Sequence, residues 1–265
     1  MEAKNLSGHI LVVEDQEPNR IVLVELLARM GIDVSLAENG QEAIKFVESA
    51  SHIDLVLMDL SMPVLDGIAA TKSIRGLSGA NKNVPIVAMT ANAFADDRDQ
   101  CIAAGMNDFL TKPINTSALY QCIKKWISTE VSNQPHESKM AISVSDGVAP
   151  ELHDADMIAQ LERDLSAGAL PAMIEVFVNT LTDKLTDLEQ ATKKSDASLI
   201  GESAHAIKSS AVTYGATRLA QQAAALEVSA RAGNLTDLHE KFEAIESTLH
   251  ATVDLYSSLF LSQPN

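Results

Sequence analysis

Five side chains in the first half of this chain could together handle a phosphoryl group. Each closes or directly follows a short aliphatic run: Glu14 and Asp15 after HILVV, Asp59 after LVLM, Thr90 after IVAM and Lys112 after DFLT. In an open parallel sheet, ligands bind outside the carboxyl ends of the strands, which is where these residues fall. Three carboxylates crowded at adjacent strand ends repel one another unless a divalent cation sits among them. Hard oxygen donors of this kind suit Mg²⁺, which keeps several waters and shares a phosphate oxygen. The Thr90 hydroxyl and the Lys112 cation are both suited to holding phosphoryl oxygens. Asp59 is the best nucleophile of the three acids, because it ends the central apolar run and is followed by LSMPVLDG, a turn-rich loop that exposes it. A single strand-terminal Asp is more often a turn or cap residue; five such residues at successive strand ends are not.

A second candidate lies far along the chain. Of seven histidines, His205 stands out in ESAHAIKSSAVTYGA, where Lys208 at i+3 and Ser209 at i+4 share its helix face. Ile200, Ala204, Ile207, Ala211 and Tyr214 follow helical spacing and should line a core, turning His205 and Lys208 toward solvent. An exposed imidazole is a good nucleophile near neutrality, and a neighbouring ammonium can steady an incoming phosphoryl group. The small residues after Lys208 leave room for another domain's loop. From the helix pattern alone, an ordinary surface histidine is the better account.

These residues need elements to hold them. From His9 to about Ser128, five aliphatic runs alternate with helical patterns at Pro18 to Met30, Gln41 to Ser49, Ile68 to Gly76, Asp96 to Ala104 and Thr116 to Ser128. That alternation predicts a parallel sheet covered by helices on both faces. Gly31 and Gly105 mark helix ends. The stretch 129–153 is polar and irregular, with Pro135, Gly147 and Pro150, and reads as a linker between a domain at 1–128 and one at 154–265. Beyond it only helices are expected, at Asp156 to Leu165, Leu170 to Lys194, Ala197 to Tyr214, Ala216 to Ala232 and Leu235 to Leu261. Pro171 marks a helix start, Asp196 is an N-cap, and Gly215 and Gly233 are breaks. One short helix and four longer ones fit a helical bundle.

Composition narrows the function classes. The 265 residues are enough for two modest domains at roughly 150 residues each. Twenty basic against 36 acidic residues give a net charge of −16, which repels nucleic acid and anionic lipid. No apolar run reaches the roughly 20 residues that span a bilayer, and MEAKNLSG has no secretory pattern, so a cytoplasmic location is expected. Cys101 and Cys122 have neither metal-ligand nor disulfide spacing, which fits a reducing compartment.

Residues 9–128 resemble a response-regulator receiver domain, on the residues already named and on MDLSMPVLDG, PIVAMTANAF and AGMNDFLTKP. The resemblance implies a five-stranded, flavodoxin-like α/β fold that phosphorylates itself on Asp59. Glu14, Asp15 and Asp59 would hold Mg²⁺, Thr90 would act as switch hydroxyl, and Lys112, before Pro113, would bind the phosphoryl group. Phe109 would be an aromatic switch, although core filling explains it equally well. Residues 154–261 resemble a histidine-phosphotransfer (HPt) domain, a four-helix bundle. Its H-x-x-K-G-S motif stands here as His205, Ala206, Ile207, Lys208, Ser209 and Ser210, and YGATRLAQQAAALE and ARAGNL follow. Ser209 replaces the usual glycine and adds a hydroxyl, which bears on docking geometry, partner choice or transfer rate.

Together the two resemblances, familiar from the C-terminal part of hybrid sensor histidine kinases, imply a phosphorelay intermediate. It would accept a phosphoryl group on Asp59 and carry one on His205, between an upstream sensor histidine kinase and a downstream response regulator receiver. No partner nucleic acid or membrane is expected. The chain has neither a G-x-G-x-x-G loop nor a G-x-x-x-x-G-K-[ST] loop, so it is read as a phosphotransfer protein rather than an ATP-using enzyme. A phosphorylation-switched adaptor or kinase inhibitor, and a phosphate sink, are the alternatives.

Overall fold

A computed structural model describes residues 6–91, 95–127 and 151–261. The N-terminal domain comprises β1 (His9–Val13), α1 (Glu17–Arg29), β2 (Asp33–Ala37), α2 (Gly40–Ser49), β3 (Leu55–Asp59), α3 (Gly67–Arg75), β4 (Ile86–Thr90), α4 (Ala95–Ala104), β5 (Asp108–Thr111) and α5 (Thr116–Ile127). The strands pair in parallel in the order β2-β1-β3-β4-β5. Alternation along the strands divides the core. Ile10, Val12, Leu55, Leu57, Val87 and Met89 pack with Leu23, Leu27, Leu119 and Ile123 of α1 and α5. Leu11, Val13, Val56, Met58, Ile86 and Ala88 pack with Ala43, Val47, Ala70, Ile74 and Cys101 of α2, α3 and α4. Strands buried on both faces must be continuously apolar, and these are.

The order reverses between β1 and β3, so the helices that follow these strands leave on opposite faces and open a crevice at the carboxyl rim. Register brings Val13 opposite Met58, Asp59 opposite Met89 and Thr90 opposite Thr111, which places the strand ends at one level. The loop after Asp59 returns tightly under it. Asp66 caps α3 by accepting from the Ala69 amide, and a Cβ on Gly67 would lie 2.2 Å from the Asp59 carbonyl oxygen.

The C-terminal domain is all helical: α6 (Ala155–Asp164), α7 (Ala169–Lys193), α8 (Ala197–Thr213), α9 (Thr217–Arg231) and α10 (Leu238–Tyr256). The seam Ile200, Ala204, Ile207, Ala211 and Tyr214 is fully buried, as its spacing requires. Phe177 stacks on Tyr214 at 4.4 Å, and the Tyr256 hydroxyl donates to the Tyr214 carbonyl at 2.5 Å. Asp196 caps α8 through the Ser198 and Leu199 amides, and Gly215 takes φ +69° at the break into α9. Several boundaries differ from the sequence pattern. Helix α7 starts two residues before Pro171. The last helix starts at Leu238 rather than Leu235, because the Asn234 side chain accepts from the Thr236 amide and holds the chain in a turn. It ends at Tyr256 in a π-helical turn, Ser257–Leu261.

The predicted linker, 129–153, lies outside the described residues except for 151–153. The domains it joins are packed together. Helix α1 lies against α7 and α8, and the apolar layer under α1 and α5 runs unbroken into the bundle core. Tyr214 donates its hydroxyl to the Pro18 carbonyl at 3.1 Å, Thr116 donates to Asp164 at 2.6 Å, and the Ser166 amide donates to Glu25 at 3.1 Å. The Arg29 guanidinium donates to the carbonyls of Arg163, Asp164 and Leu165, the free end of α6.

Gly67→Ala is expected to destabilise the N-terminal domain by about 1–3 kcal/mol, since a methyl group must force the Asp59 carbonyl away. A lowered urea midpoint would show this; an unchanged midpoint would mean that the loop after Asp59 is not closed as described.

Candidate functional site

The five rim residues meet. The Lys112 Nζ donates to Asp59 Oδ2 at 2.6 Å and to Glu14 Oε2 at 2.7 Å, and all three side chains are buried, which corrects the expected exposure of Asp59: the ion pair with Lys112 draws it in. Asp59 Oδ1 accepts from the Ser61 amide at 3.2 Å. Glu14, Asp15 and Asp59 each present a carboxylate oxygen within 4.8 Å of the others. Such crowding shifts their protonation. Burial, reinforced by Asp59 and Asp15, raises the Glu14 carboxyl to about 7 despite Lys112. Burial and then Asp59 raise Asp15, against the Gln16 hydrogen bond, Lys112 and His205. Burial by itself would lower the Lys112 ammonium, but Asp59 and Glu14 overcome it and raise its pKa. Asp15 Oδ1 is buried with no hydrogen-bond partner. An orphaned carboxylate oxygen beside two further acids is the environment of a hard divalent cation.

Thr90 ends β4 beside this group, and its carbonyl accepts from the Lys112 amide at 2.7 Å. Phe109 is half-buried on β5. It packs against the cluster under α2, α3 and α4, with the Arg98 guanidinium 5.3 Å from its ring centroid.

On α8, His205 and Lys208 share a partner that sequence reading missed. His205 Nδ1 lies 2.8 Å from Glu227 Oε1, and Lys208 Nζ lies 2.6 Å from Glu227 Oε2; Arg231 reaches the same carboxylate at 2.6 Å. Burial would raise the Glu227 carboxyl, yet the hydrogen bonds and charges of His205 and Lys208 hold it at about 2. A carboxylate only accepts, so Nδ1 carries a proton toward Glu227, and it is Nε2 that bears the lone pair whenever the ring is neutral. A signal was present: Glu227 is the one charge in the buried stripe Ala220, Ala223, Glu227 and Ala230 of α9.

The expected exposure of His205 and Lys208 is corrected. Their side chains are only 14% and 15% exposed, because Glu227 draws both inward and the N-terminal domain stands over them. One cleft of about 1430 Å³ is lined from the rim by Asp15, Asp59, Thr90 and Lys112 and from the bundle by His205 and Lys208. Ser209, only 4% exposed, crosses the boundary: its Oγ accepts from Asn19 Nδ2 at 2.9 Å and from Lys112 Nζ at 3.3 Å. Asn19 carried no signal in the sequence. It lies in the first turn of α1, and its role follows only from how the domains meet.

Residues 10–124 match the model of the response regulator receiver domain, and residues 172–254 match the model of the Hpt domain. Two-component system protein A of Emericella nidulans is 41% identical over 123 residues, covering 46% of this chain and 18% of its own length. Sensor protein GacS of Pseudomonas syringae pv. syringae is 34% identical over 169 residues, covering 62% and 18%. A solved receiver domain of sensor histidine kinase PA1611 from Pseudomonas aeruginosa PAO1, with magnesium coordinated in its active-site cleft, is 40% identical. It aligns over 46% of this chain and 98% of its own, with a TM-score of 0.43. The chain thus spans less than a fifth of the length of these curated relatives. No described helix is long and apolar enough to cross a membrane. The rim of the sheet and the helix face opposite it therefore belong to a response regulator receiver domain and an Hpt domain carried on one chain.

Proposed function

We propose that this chain accepts a phosphoryl group on Asp59, carries one on His205, and passes it between the two within one molecule. The observation that carries the reading is the shared cleft, with the Asp59 carboxylate on one wall and the His205 imidazole on the other. Glu14, Asp15 and Asp59 would hold Mg²⁺, which neutralises charge on a phosphoryl group when bound. The residues of the chain supply the rest. The Lys112 ammonium, held against Asp59, is placed to follow a phosphoryl oxygen as charge develops there, and the Thr90 hydroxyl stands ready to bond the same group.

Exchange with His205 balances simply. The Nε2 lone pair forms a bond to phosphorus as the bond from phosphorus to the Asp59 carboxylate oxygen breaks, its electron pair returning to the carboxylate. The Nδ1 proton stays in place, and Glu227 counters the positive charge that the ring acquires. The reverse step uses the same contacts. A sensor histidine kinase would supply phosphate to Asp59 and a separate response regulator receiver would take it from His205. The chain would not use ATP, and it would work in the cytoplasm with no nucleic acid or membrane partner. The domain boundaries that fit are 1–128, a linker at 129–153, and 154–265.

With radiolabelled acetyl phosphate as donor, wild-type chain should gain both alkali-labile label on Asp59 and alkali-stable label on His205. Asp59→Asn, or chelation of divalent cations, should abolish both. His205→Ala should keep the first and lose the second. Normal alkali-labile labelling of Asp59→Asn would contradict the assignment.

Glu227→Gln tests the orienting carboxylate. Because the folded Glu227 carboxyl lies below its unfolded value, its contribution is present above about 4.5 and lost as pH falls toward about 2. The variant should flatten that stretch of the stability curve, lower stability at neutral pH by about 1–3 kcal/mol, and slow transfer to His205 more than labelling of Asp59. Thermal unfolding across pH and single-turnover labelling report these effects; an unaltered acid limb would contradict them.

A further inference from the structure

The hydroxyl at position 209 has no counterpart in a site that usually carries glycine, and the structure gives it two partners from the other domain. An ammonium has three protons to donate and a primary amide two. Two of the Lys112 protons are directed at Asp59 and Glu14, and the third finds Ser209 Oγ at 3.3 Å. One of the Asn19 amide protons goes to Glu14 Oε1 at 2.9 Å and the other to Ser209 Oγ at 2.9 Å. Both lone pairs of the Ser209 hydroxyl are thus filled by the receiver, and every donor on Lys112 and Asn19 is used. Ser209 is buried one turn past His205 on the same helix face, so fixing one fixes the height and angle at which the other meets the rim. Glycine could accept from neither group, and Asn19 and Lys112 would each retain an unspent donor in a buried seam.

We infer that Ser209 is a positioning and specificity residue: by pairing with Asn19 and Lys112 it seats His205 on this chain's own receiver and favours that receiver over others. The inference rests on the proposed exchange between Asp59 and His205. It adds a selective contact that the exchange itself does not require. A receiver without an amide donor at the place of Asn19 offers Ser209 one partner fewer, and the hydroxyl is then buried against it poorly paired.

The test uses the full chain, with Asp59 loaded from labelled acetyl phosphate and the rate of label appearing on His205 normalised to the loaded fraction. Ser209→Ala, Ser209→Gly and Asn19→Ala should each slow this transfer by about three- to tenfold, the range for a lost hydrogen bond. The Ser209→Ala, Asn19→Ala pair should be slowed by less than the product of the two single effects, because both singles remove the contact that the two residues share. With a separate loaded receiver that lacks Asn at the matching position as donor to His205, the ratio of own to foreign transfer should fall in Ser209→Ala. A residue needed only for folding would slow both equally. Rates within about twofold of wild type in chains with unchanged thermal unfolding, singles whose effects multiply in the double variant, or an unaltered ratio would each overturn the inference.

If the wild-type chain places no label on His205, the exchange reading fails separately and accessibility decides the contact. Diethyl pyrocarbonate should modify His205 faster in Ser209→Ala than in wild type, and equal rates would overturn the seating role. Should Ser209→Ala not fold, Ser209→Gly and Asn19→Ala carry the same comparisons.

Discussion

A buried ammonium organises this molecule. Lys112 stands between Asp59 and Glu14 with almost no exposure, and neither the lysine nor the acids could be held there alone. Removing a charge from water is costly unless opposite charge and hydrogen bonds replace the lost solvent. Here three strands supply the replacement at one level: β1 leads into Glu14 and Asp15, β3 ends in Asp59, and β5 runs into Lys112. The sheet order and register are what make this mutual compensation possible. The cluster still has two more acids than bases, in keeping with the raised Glu14 and Asp15 carboxyls and the orphaned Asp15 oxygen. A site built with surplus negative charge suits a hard cation.

The bundle repeats the logic with the signs exchanged. There a single buried carboxylate, Glu227, gathers an imidazole, an ammonium and a guanidinium. The receiver rim has more acid than base and the bundle face more base than acid, and the two surfaces meet across one cleft. That complementarity accounts for a protein with net charge −16 that can still bring a cationic helix face against its acidic strand ends. Tyr214 on Pro18 and Arg29 on the end of α6 hold the domains in that arrangement from outside the site.

Much of this was legible in the sequence, for definite reasons. Strands buried on both faces must be aliphatic throughout, so the runs of β1, β3 and β4 and the residues that end them stand out against the helices, whereas β2 and β5 at the sheet edges are only partly buried and read less plainly. The seam from Ile200 to Tyr214 follows the helical period because it is core. What the periodicity could not reveal was the other side of α8. A pattern that turns His205 away from the bundle core equates that direction with solvent, whereas the receiver covers it. Glu227 escaped notice because a lone acid among alanines looks like an ordinary interruption until its three partners are known. Asn19 and Ser209, 190 positions apart, meet only through docking of two domains, and nothing local encodes that. Position 209 could be marked as a departure from the usual glycine, yet the partner that gives the departure meaning was invisible.

Whether the proposed exchange between Asp59 and His205 runs within one chain is settled most directly by the concentration dependence of transfer. With Asp59 loaded and excess donor removed, the rate constant for label reaching His205 should stay unchanged as the protein is serially diluted, since both groups line one intramolecular cleft. A rate constant that falls in proportion to protein concentration would show that transfer occurs only between molecules, and would contradict the account.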